Sequence, residues 1–204
     1  YIHVPFCKQR CLYCDFATQA VASDSPVLDE YLEHMLLDIR RASREGFLGS
    51  IKTVYLGGGT PSYLGQGRLT ELLYMLSLSM HLEPEVECTM EANPDSVHSR
   101  MLKDIFALGV NRLSIGVQSF DDTILSRLGR IHSAEQAREA IEVAHERFEN
   151  VSVDLMCGIP GQTIDHVKQS VQTAIDLGVT HVSMYPLTIE EHTLFWNMVM
   201  AETM

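Results

Sequence analysis

The sequence predicts an α/β protein built around a sheet of parallel strands. Six short segments rich in β-branched and aromatic residues alternate with helical segments, and most of them end in Gly, Pro or Asn. This alternation is typical of parallel sheets, because each helix carries the chain back to the start of the next strand. The pattern leaves open whether the sheet is flat or curls into a partial barrel. The predicted strands cover residues 1–5, 53–56, 86–91, 112–117, 151–155 and 181–187.

Amphipathic segments fill the intervals between these strands. Four of them carry apolar residues spaced three and four apart, which places those residues on one face of a helix. Ser133 and Gln136 have the spacing of a capping box, and Gly178 ends the last of the four. A fifth, shorter helix is expected to end at Gly109, since glycine is the usual C-cap residue. The predicted helices cover residues 28–39, 69–80, 97–108, 137–144 and 164–175.

The composition predicts a single domain and argues against nucleic acid as a partner. The chain has 204 residues, of which 46% are hydrophobic, and this suffices for one sizeable core. The formal net charge is −12, whereas nucleic acids and anionic membranes attract basic surfaces. No apolar run approaches the roughly eighteen residues that a membrane span needs.

The cysteines indicate a reduced compartment. An odd set of five, with three of them inside eight residues, is a poor disulfide framework and favours metal-binding or buried thiols. No signal peptide is recognisable, so we expect a cytoplasmic protein. Because the chain opens on Tyr1 inside a predicted strand, we also expect that a short stretch precedes it and that the protein continues past Met204.

Polar and glycine-rich segments follow the ends of the predicted strands. In parallel α/β proteins the loops after the carboxyl ends of the strands form the active face, whether the sheet is open or closed. These segments are therefore expected to converge on one rim and to form the functional site. They are residues 7–14, 57–60, 91–94, 118–119, 154–162 and 188–190.

Cys7, Cys11 and Cys14 have the spacing C-x3-C-x2-C directly after the first predicted strand. Soft thiolates can surround a metal centre, and three of them suit a [4Fe–4S] cluster that leaves one iron open to bind another molecule. A structural zinc site is one alternative, although such a site normally has four ligands. A redox pair of Cys11 and Cys14 is another, and it would leave Cys7 without a role. Cys88 and Cys157 are expected to be ordinary buried residues.

Glycine and polar residues at other strand ends are candidates for binding a ligand. The triple glycine at 57–59 matches neither the dinucleotide-binding fingerprint nor the P-loop, but glycine lets a backbone approach a ligand closely. A tight turn is the alternative. Carboxylates and amides can bind ribose hydroxyls, and a guanidinium can hold a carboxylate. The candidates are Glu91, Gln118, Arg130 and Asp154, each with a solvated or capping role as the alternative.

Taken together, these motifs resemble the radical S-adenosylmethionine (SAM) superfamily. The resemblance is to the branch of oxygen-independent coproporphyrinogen III oxidases (HemN) and heme chaperones (HemW), and it covers nearly the whole chain. It implies a (β/α)6 partial TIM barrel of parallel strands. The barrel would cover residues 1–190, and residues 191–204 would be the start of a truncated C-terminal region. The motifs are YIHVPFC (1–7) with Cys11 and Cys14, YLGGGTP (55–61), EANP (91–94), GVNRLSIGVQSF (109–120), LGRIH (128–132), VDLM (153–156), GIP (158–160) and LTIE (187–190).

The same resemblance implies the residues of the site. Cys7, Cys11 and Cys14 would hold the [4Fe–4S] cluster. The cluster and SAM would lie at the carboxyl-end rim of the barrel. The implied SAM contacts are Tyr1, Tyr13, Gly58, Gly59, Thr60, Glu91, Gln118, Arg130 and Asp154.

One position distinguishes the two functional types of this branch. Oxidase-type members carry a fourth cysteine two residues after the third, and this chain has Phe16 there. The motifs at 91–94, 116–120 and 128–132 also resemble the chaperone type. We therefore expect a protein that handles heme and transfers it to respiratory enzymes. The alternative is an oxygen-independent coproporphyrinogen III oxidase, which decarboxylates two porphyrin propionates.

The resemblance also implies cofactors and partners. The cofactors are the [4Fe–4S] cluster and SAM, with heme bound through a C-terminal region that this chain does not contain. The partners are heme or a porphyrin, an electron donor such as flavodoxin or ferredoxin, recipient heme proteins and a membrane surface contacted peripherally. The resemblance offers no account of Cys157.

Overall fold

The structure of the protein is a computed structural model that describes residues 1–201, without the side chains of Leu82 and Pro84. Six strands form one sheet in which all neighbours are parallel, in the order β1-β4-β5-β6-β7-β8. Two short strands, β2 and β3, form a separate parallel pair. The strands are β1 (Ile2–Val4), β2 (Phe6–Cys7), β3 (Gln19–Ala20), β4 (Ile51–Gly58), β5 (Leu82–Ala92), β6 (Arg112–Gln118), β7 (Asn150–Cys157) and β8 (His181–Pro186).

Helices connect the strands of the large sheet. Ser133 and Gln136 exchange side-chain and backbone hydrogen bonds, which confirms the predicted capping box. Thr163 and His166 form a second capping box, which differs from the usual sequence pattern because histidine takes the place of Glu or Gln. No helix in the described part of the chain is long and apolar enough to cross a membrane. The helices are α1 (Val27–Arg44), α2 (Gly65–Ser79), α3 (Ser99–Ala107), α4 (Asp122–Arg127), α5 (Ala134–His145), α6 (Ile164–Asp176) and α7 (Leu194–Met200).

All six predicted strands are present in the sheet, which confirms the parallel α/β class. β4 begins at Ile51 rather than at residue 53, and β5 begins at Leu82 rather than at residue 86. Their first paired residues, Ile51 and Leu82, precede a shift in register, so this part of the ladder is irregular and leaves no period in the sequence. The sequence also does not predict β2, β3, α4 or α7, because elements of two to seven residues are too short to show a period.

The large sheet curves into a partial barrel. Strands lie about 4.8 Å apart, so β1 and β8 would be separated by about 24 Å in a flat sheet of this size. Residues that follow both of these edge strands nevertheless line one cavity, with Cys7 on one side and Thr188 on the other. β1 and β8 do not pair with each other, so the barrel stays open between them. The predicted (β/α)6 partial barrel is thereby confirmed.

The segment 191–201 lies against the barrel. Phe195 of α7 is buried in an apolar cluster that includes Leu128. Its backbone N–H donates to the carbonyl of Leu12 at 2.9 Å, which connects α7 to the loop between Cys11 and Cys14. Residues 202–204 lie outside the described part of the chain, so a boundary after residue 190 stays a prediction.

Candidate functional site

A cavity of about 360 Å³ opens at the carboxyl ends of the sheet strands. This is the rim on which the polar segments are expected to converge, and the structure brings them together there. Tyr1 alone among the predicted site residues is not part of the lining. The predicted residues that line the cavity are Cys7, Cys11, Tyr13, Cys14, Gly58, Gly59, Thr60, Glu91, Gln118, Arg130 and Asp154.

The three clustered cysteines lie on one side of this cavity as free thiols. Cys7 ends β2 and is buried, whereas Cys11 and Cys14 are half-buried in the loop that follows. Burial raises the pKa of the Cys7 thiol, so this sulfur stays protonated unless a positive centre stabilises the thiolate. No three His, Cys, Asp or Glu side chains within residues 1–201 converge as ligands of a single metal ion. Cysteines that hold an iron–sulfur cluster bind its different iron atoms, so they need not converge on one point.

A continuous chain of hydrogen bonds joins two of these sulfurs. The Thr60 hydroxyl donates to Cys7 Sγ at 3.5 Å, and the Asn93 amide donates to Thr60 Oγ1 at 2.9 Å. Arg130 donates to Asn93 Oδ1 at 2.7 Å and to Cys11 Sγ at 3.5 Å. Donors directed at sulfur stabilise thiolate charge and orient metal ligands. The network therefore suits cysteines that carry negative charge when a metal centre is bound.

The triple glycine brings the backbone against the cysteine loop. Gly59 N–H donates to the carbonyl of Val4 at 2.8 Å, so the loop continues the pairing of β1 and β4. A Cβ at Gly59 would lie 2.9 Å from Cys7 Sγ, which is closer than real contacts allow. Gly58 has a φ of +119° and faces the ring of His3, so a side chain there would be both strained and blocked. The backbone at these glycines therefore lies close to Cys7 and also lines the cavity, as expected of a glycine-rich segment.

Glu91 sits at the end of β5 with both oxygens engaged. Oε1 accepts from the Tyr55 hydroxyl at 2.7 Å, and Oε2 accepts from the N–H of Gly58 at 3.1 Å. Burial raises the pKa of the Glu91 carboxyl despite these bonds, because desolvation disfavours its charged form. The arrangement can accept further hydrogen bonds from a cationic group in the cavity.

Asp154 and Gln118 project from β7 and β6 into the other part of the cavity. The hydroxyl of Ser114 lies 3.3 Å from each Asp154 oxygen, and burial raises the pKa of this carboxyl as well. Gln118 follows a register shift in β6 and has a φ of +65°. These two side chains offer a carboxylate and an amide, the groups that bind sugar hydroxyls.

The two predicted tyrosines differ in position. Tyr13 lines the cavity, and burial raises the pKa of its phenol. Tyr1 is 76% exposed, and its hydroxyl bonds to His3 Nδ1 at 2.9 Å. Its ring stacks on the ring of Tyr55 at 6.1 Å between centroids. Tyr55 in turn bonds to Glu91, so Tyr1 is connected to the site through Tyr55. A direct contact from Tyr1 to a ligand stays a prediction.

Two residues outside the predicted set complete the site. Asn93 bridges Arg130 and Thr60, and Ser114 supports Asp154. Asn93 is predicted only as part of the motif at 91–94. Its position directly after β5 is nevertheless the same signal that identifies the other polar candidates. Ser114 leaves no such signal, since it lies inside β6 and its role depends on the neighbouring strand.

Comparison with known protein families and curated proteins gives consistent results. The family model described as "Radical SAM superfamily" matches residues 1–174. The chain is similar to the heme chaperone HemW of Bacillus subtilis (strain 168), with 40% identity over 201 residues that cover 98% of this chain and 52% of that protein. The heme chaperone HemW of Escherichia coli (strain K12) is 40% identical over 196 residues, with 96% and 52% covered. The chain spans about half the length of these relatives.

A solved structure has a similar fold. The coproporphyrinogen III oxidase (HemN) from Escherichia coli, described as a radical SAM enzyme, superposes with a TM-score of 0.84. The match covers 100% of this chain and 51% of that one at 22% sequence identity, so the likeness concerns the fold alone. It agrees with the partial barrel.

Proposed function

Because the chain belongs to the radical SAM superfamily, we propose that its cavity holds a [4Fe–4S] cluster on Cys7, Cys11 and Cys14 with SAM beside it. Membership in this family implies both cofactors. The donor set fits the cluster, because three soft thiols line one side of the cavity and two of the sulfurs receive hydrogen bonds. When bound, the cluster supplies one electron to SAM, and the residues of the chain bind, orient and shield the reactants.

The charges of the cavity fit SAM, which carries an ammonium, a sulfonium and a carboxylate. Glu91 and Asp154 are half-buried carboxyls that form no salt bridge within residues 1–201, and a cationic ligand would offset their desolvation. Arg130 uses three of its five N–H donors on Cys11, Asn93 and the Gly116 carbonyl, so donors remain for a carboxylate. We assign Glu91 to the SAM ammonium, Arg130 to its carboxylate, and Gln118 with Asp154 to the ribose.

We propose further that the protein handles heme and passes it to respiratory enzymes. The observation that carries this proposal is the identity of about 40%, over nearly the whole chain, to proteins named heme chaperone HemW. Those proteins are about twice as long, so the heme site and the transfer itself are proposed for the whole protein and not for this chain alone. Phe16 lines the cavity at the place where oxidase-type members are expected to carry a fourth cysteine.

The setting follows from the same proposal. The protein would act in the cytoplasm, where thiols stay reduced, and would receive electrons from a carrier such as flavodoxin or ferredoxin. Recipient heme proteins would be its partners, and it would reach membrane-bound recipients by peripheral contact.

One experiment separates heme transfer from porphyrin oxidation. The natural full-length protein is reconstituted anaerobically and supplied with SAM, reductant and either heme or coproporphyrinogen III. We expect stable uptake of heme without porphyrin turnover. Formation of protoporphyrinogen would contradict the proposal and support the oxidase alternative.

Matched cysteine variants control this experiment. Cys11→Ala removes a proposed cluster ligand, and we expect it to lose bound iron. Cys88→Ala removes a thiol that is buried in β5 away from the cavity lining, and it should retain the iron of the wild-type protein. Equal iron content in the two variants would contradict the assignment of the cluster to the clustered cysteines.

A further inference from the structure

Gln118 has an unusual backbone conformation at the point where it enters the cavity. Its φ of +65° lies in the left-handed region, where residues other than glycine are uncommon. The N–H of Ser119 donates to the carbonyl of Val117 at 2.8 Å, which closes a three-residue γ-turn around Gln118. γ-Turns with a positive central φ are rare and strained, so the surrounding structure must hold this one in place.

The sheet is irregular just before this turn. Pairing between β5 and β6 ends at Ile115, and the register between β6 and β7 shifts between Ile115 and Gln118. Such a shift disrupts the ladder at Gly116 and Val117, and a buried carbonyl needs a hydrogen-bond partner from elsewhere. Side chains supply a partner to the carbonyl of Gly116 and a second partner to the carbonyl of Val117, which also accepts from the N–H of Ser119.

These partners come from two residues in the segment after α4. Arg130 donates to the carbonyl of Gly116 at 2.5 Å, and Nε2 of His132 lies 3.1 Å from the carbonyl of Val117. A carbonyl only accepts, so Nε2 of His132 carries the ring proton. The ring is 3% exposed, and its Nδ1 has no hydrogen-bond partner among the described residues. An apolar residue would avoid this unpaired nitrogen, which indicates that the bond to Val117 is the reason for a histidine here.

We propose that His132 is a positioning residue, whose bond to the Val117 carbonyl holds the γ-turn that directs Gln118 into the cavity. The proposal rests on the proposed function, in which Gln118 contacts SAM. Arg130 supports the same turn but also bonds to Cys11, so its replacement would disturb the cluster as well. Within residues 1–201 the His132 side chain bonds only to the turn, and its replacement therefore tests positioning separately.

The test compares two substitutions that differ in where they place a donor. The amide nitrogen of glutamine can occupy the position of Nε2, whereas that of asparagine reaches only the position of Nδ1. We expect cluster-loaded His132→Gln to bind SAM within about twofold of wild type. His132→Asn should bind about 10-fold more weakly, because the turn loses one buried hydrogen bond. Both variants should keep the wild-type iron content and a cooperative thermal transition.

A double variant shows whether His132 acts through Gln118. Gln118→Ala should weaken SAM binding, and adding His132→Asn should weaken it no further. Equal affinities of the two His132 variants, or additive losses in the double variant, would overturn the proposal. Loss of the cluster or of the folded state in His132→Asn would also overturn it, since the residue would then support the fold at large.

The proposed function can fail separately from the positioning role. If the wild-type protein binds no SAM, or if Gln118→Ala binds SAM as tightly as wild type, the SAM contact assigned to Gln118 is wrong. In that case the positioning role toward SAM is overturned with it. If Gln118→Ala binds weakly while His132→Asn binds normally, the contact stands and only the positioning role is wrong.

Discussion

The two sides of the cavity differ in how their side chains are held. On the cysteine side, hydrogen bonds run from one thiol to another through a guanidinium, an amide and a hydroxyl; the residues are Cys11, Arg130, Asn93, Thr60 and Cys7. On the β8 side, Tyr185, Thr188 and Glu190 line the same cavity with exposed side chains.

This difference separates a preorganised half of the site from an open half. Side chains that are already bonded in place need little reordering when a ligand arrives, so the cysteine side suits cofactors that must be held accurately. Exposed side chains on and just after β8 can adjust to a second molecule, such as the proposed heme or porphyrin. The comparison predicts that substitutions on the cysteine side act on cofactor binding and that substitutions on the β8 side spare it.

The largest effect is expected for Gly59→Ala. The added Cβ would lie 2.9 Å from Cys7 Sγ and 2.8 Å from the carbonyl of Phe6, so Cys7 must move. We expect affinity for the cluster to fall about 10- to 100-fold, as for other disturbances next to metal ligands. Iron and sulfide analysis after reconstitution measures it. Gly67→Ala is the control, since nothing lies within 4 Å of a Cβ there, and normal iron in both variants would refute the close approach.

A stability change without cofactor loss is expected for Phe195→Ala. Phe195 is 2% exposed and anchors α7, so truncation should lower the free energy of unfolding by about 3–5 kcal/mol. Urea unfolding measures this value. Leu194→Ala, at a side chain that is 53% exposed, should change it by only about 0.5 kcal/mol. Loss of iron from folded Phe195→Ala would show that α7 supports the cysteine side after all.

The pH dependence of stability should report on His132. Burial, and then the charge of Arg130, lowers its pKa from 6.5 to about 4. Between these values the unfolded chain binds a proton that the folded chain does not, so His132 lowers stability as the pH falls. From pH 7 to 5, wild type should lose on the order of 2 kcal/mol more than His132→Gln in urea unfolding. Parallel losses in the two proteins would mean that this histidine titrates normally.

The smallest effect on cofactor binding is expected for Tyr185→Ala. Tyr185 is 54% exposed on β8, and none of the proposed SAM contacts lies on that strand. SAM affinity should stay within about twofold of wild type, whereas Asn93→Ala should reduce it more because the bridge from Arg130 to Thr60 is lost. Equilibrium dialysis against labelled SAM distinguishes the two. A larger loss in Tyr185→Ala would extend the SAM site across the cavity.

The sequence predicts the members of the preorganised half better than the bonds between them. Strand ends and the cysteine spacing are local features, so the sequence alone is enough to place Cys7, Gly59 and Glu91 on one rim. The partnership of Asn93 with Arg130 joins residues 37 positions apart, and no local period records it. The turn at Gln118 likewise arises from a register shift between strands, which depends on tertiary packing.

Near the two ends of the chain, the sequence predicts the structure less well. Tyr1 is expected from its motif to contact SAM, yet it stacks on Tyr55 outside the cavity lining. α7 is too short to leave a helical period, and the burial of Phe195 depends on a cluster built from distant loops. Such features follow from packing against neighbours rather than from the order of residues nearby.

The most direct test of the cavity as a cluster and SAM site is electron paramagnetic resonance of the reduced, reconstituted protein. We expect about four iron and four sulfide per chain, and a cluster spectrum that changes when SAM is added. Zinc alone at the three thiols, or a cluster spectrum unaffected by saturating SAM, would contradict this assignment.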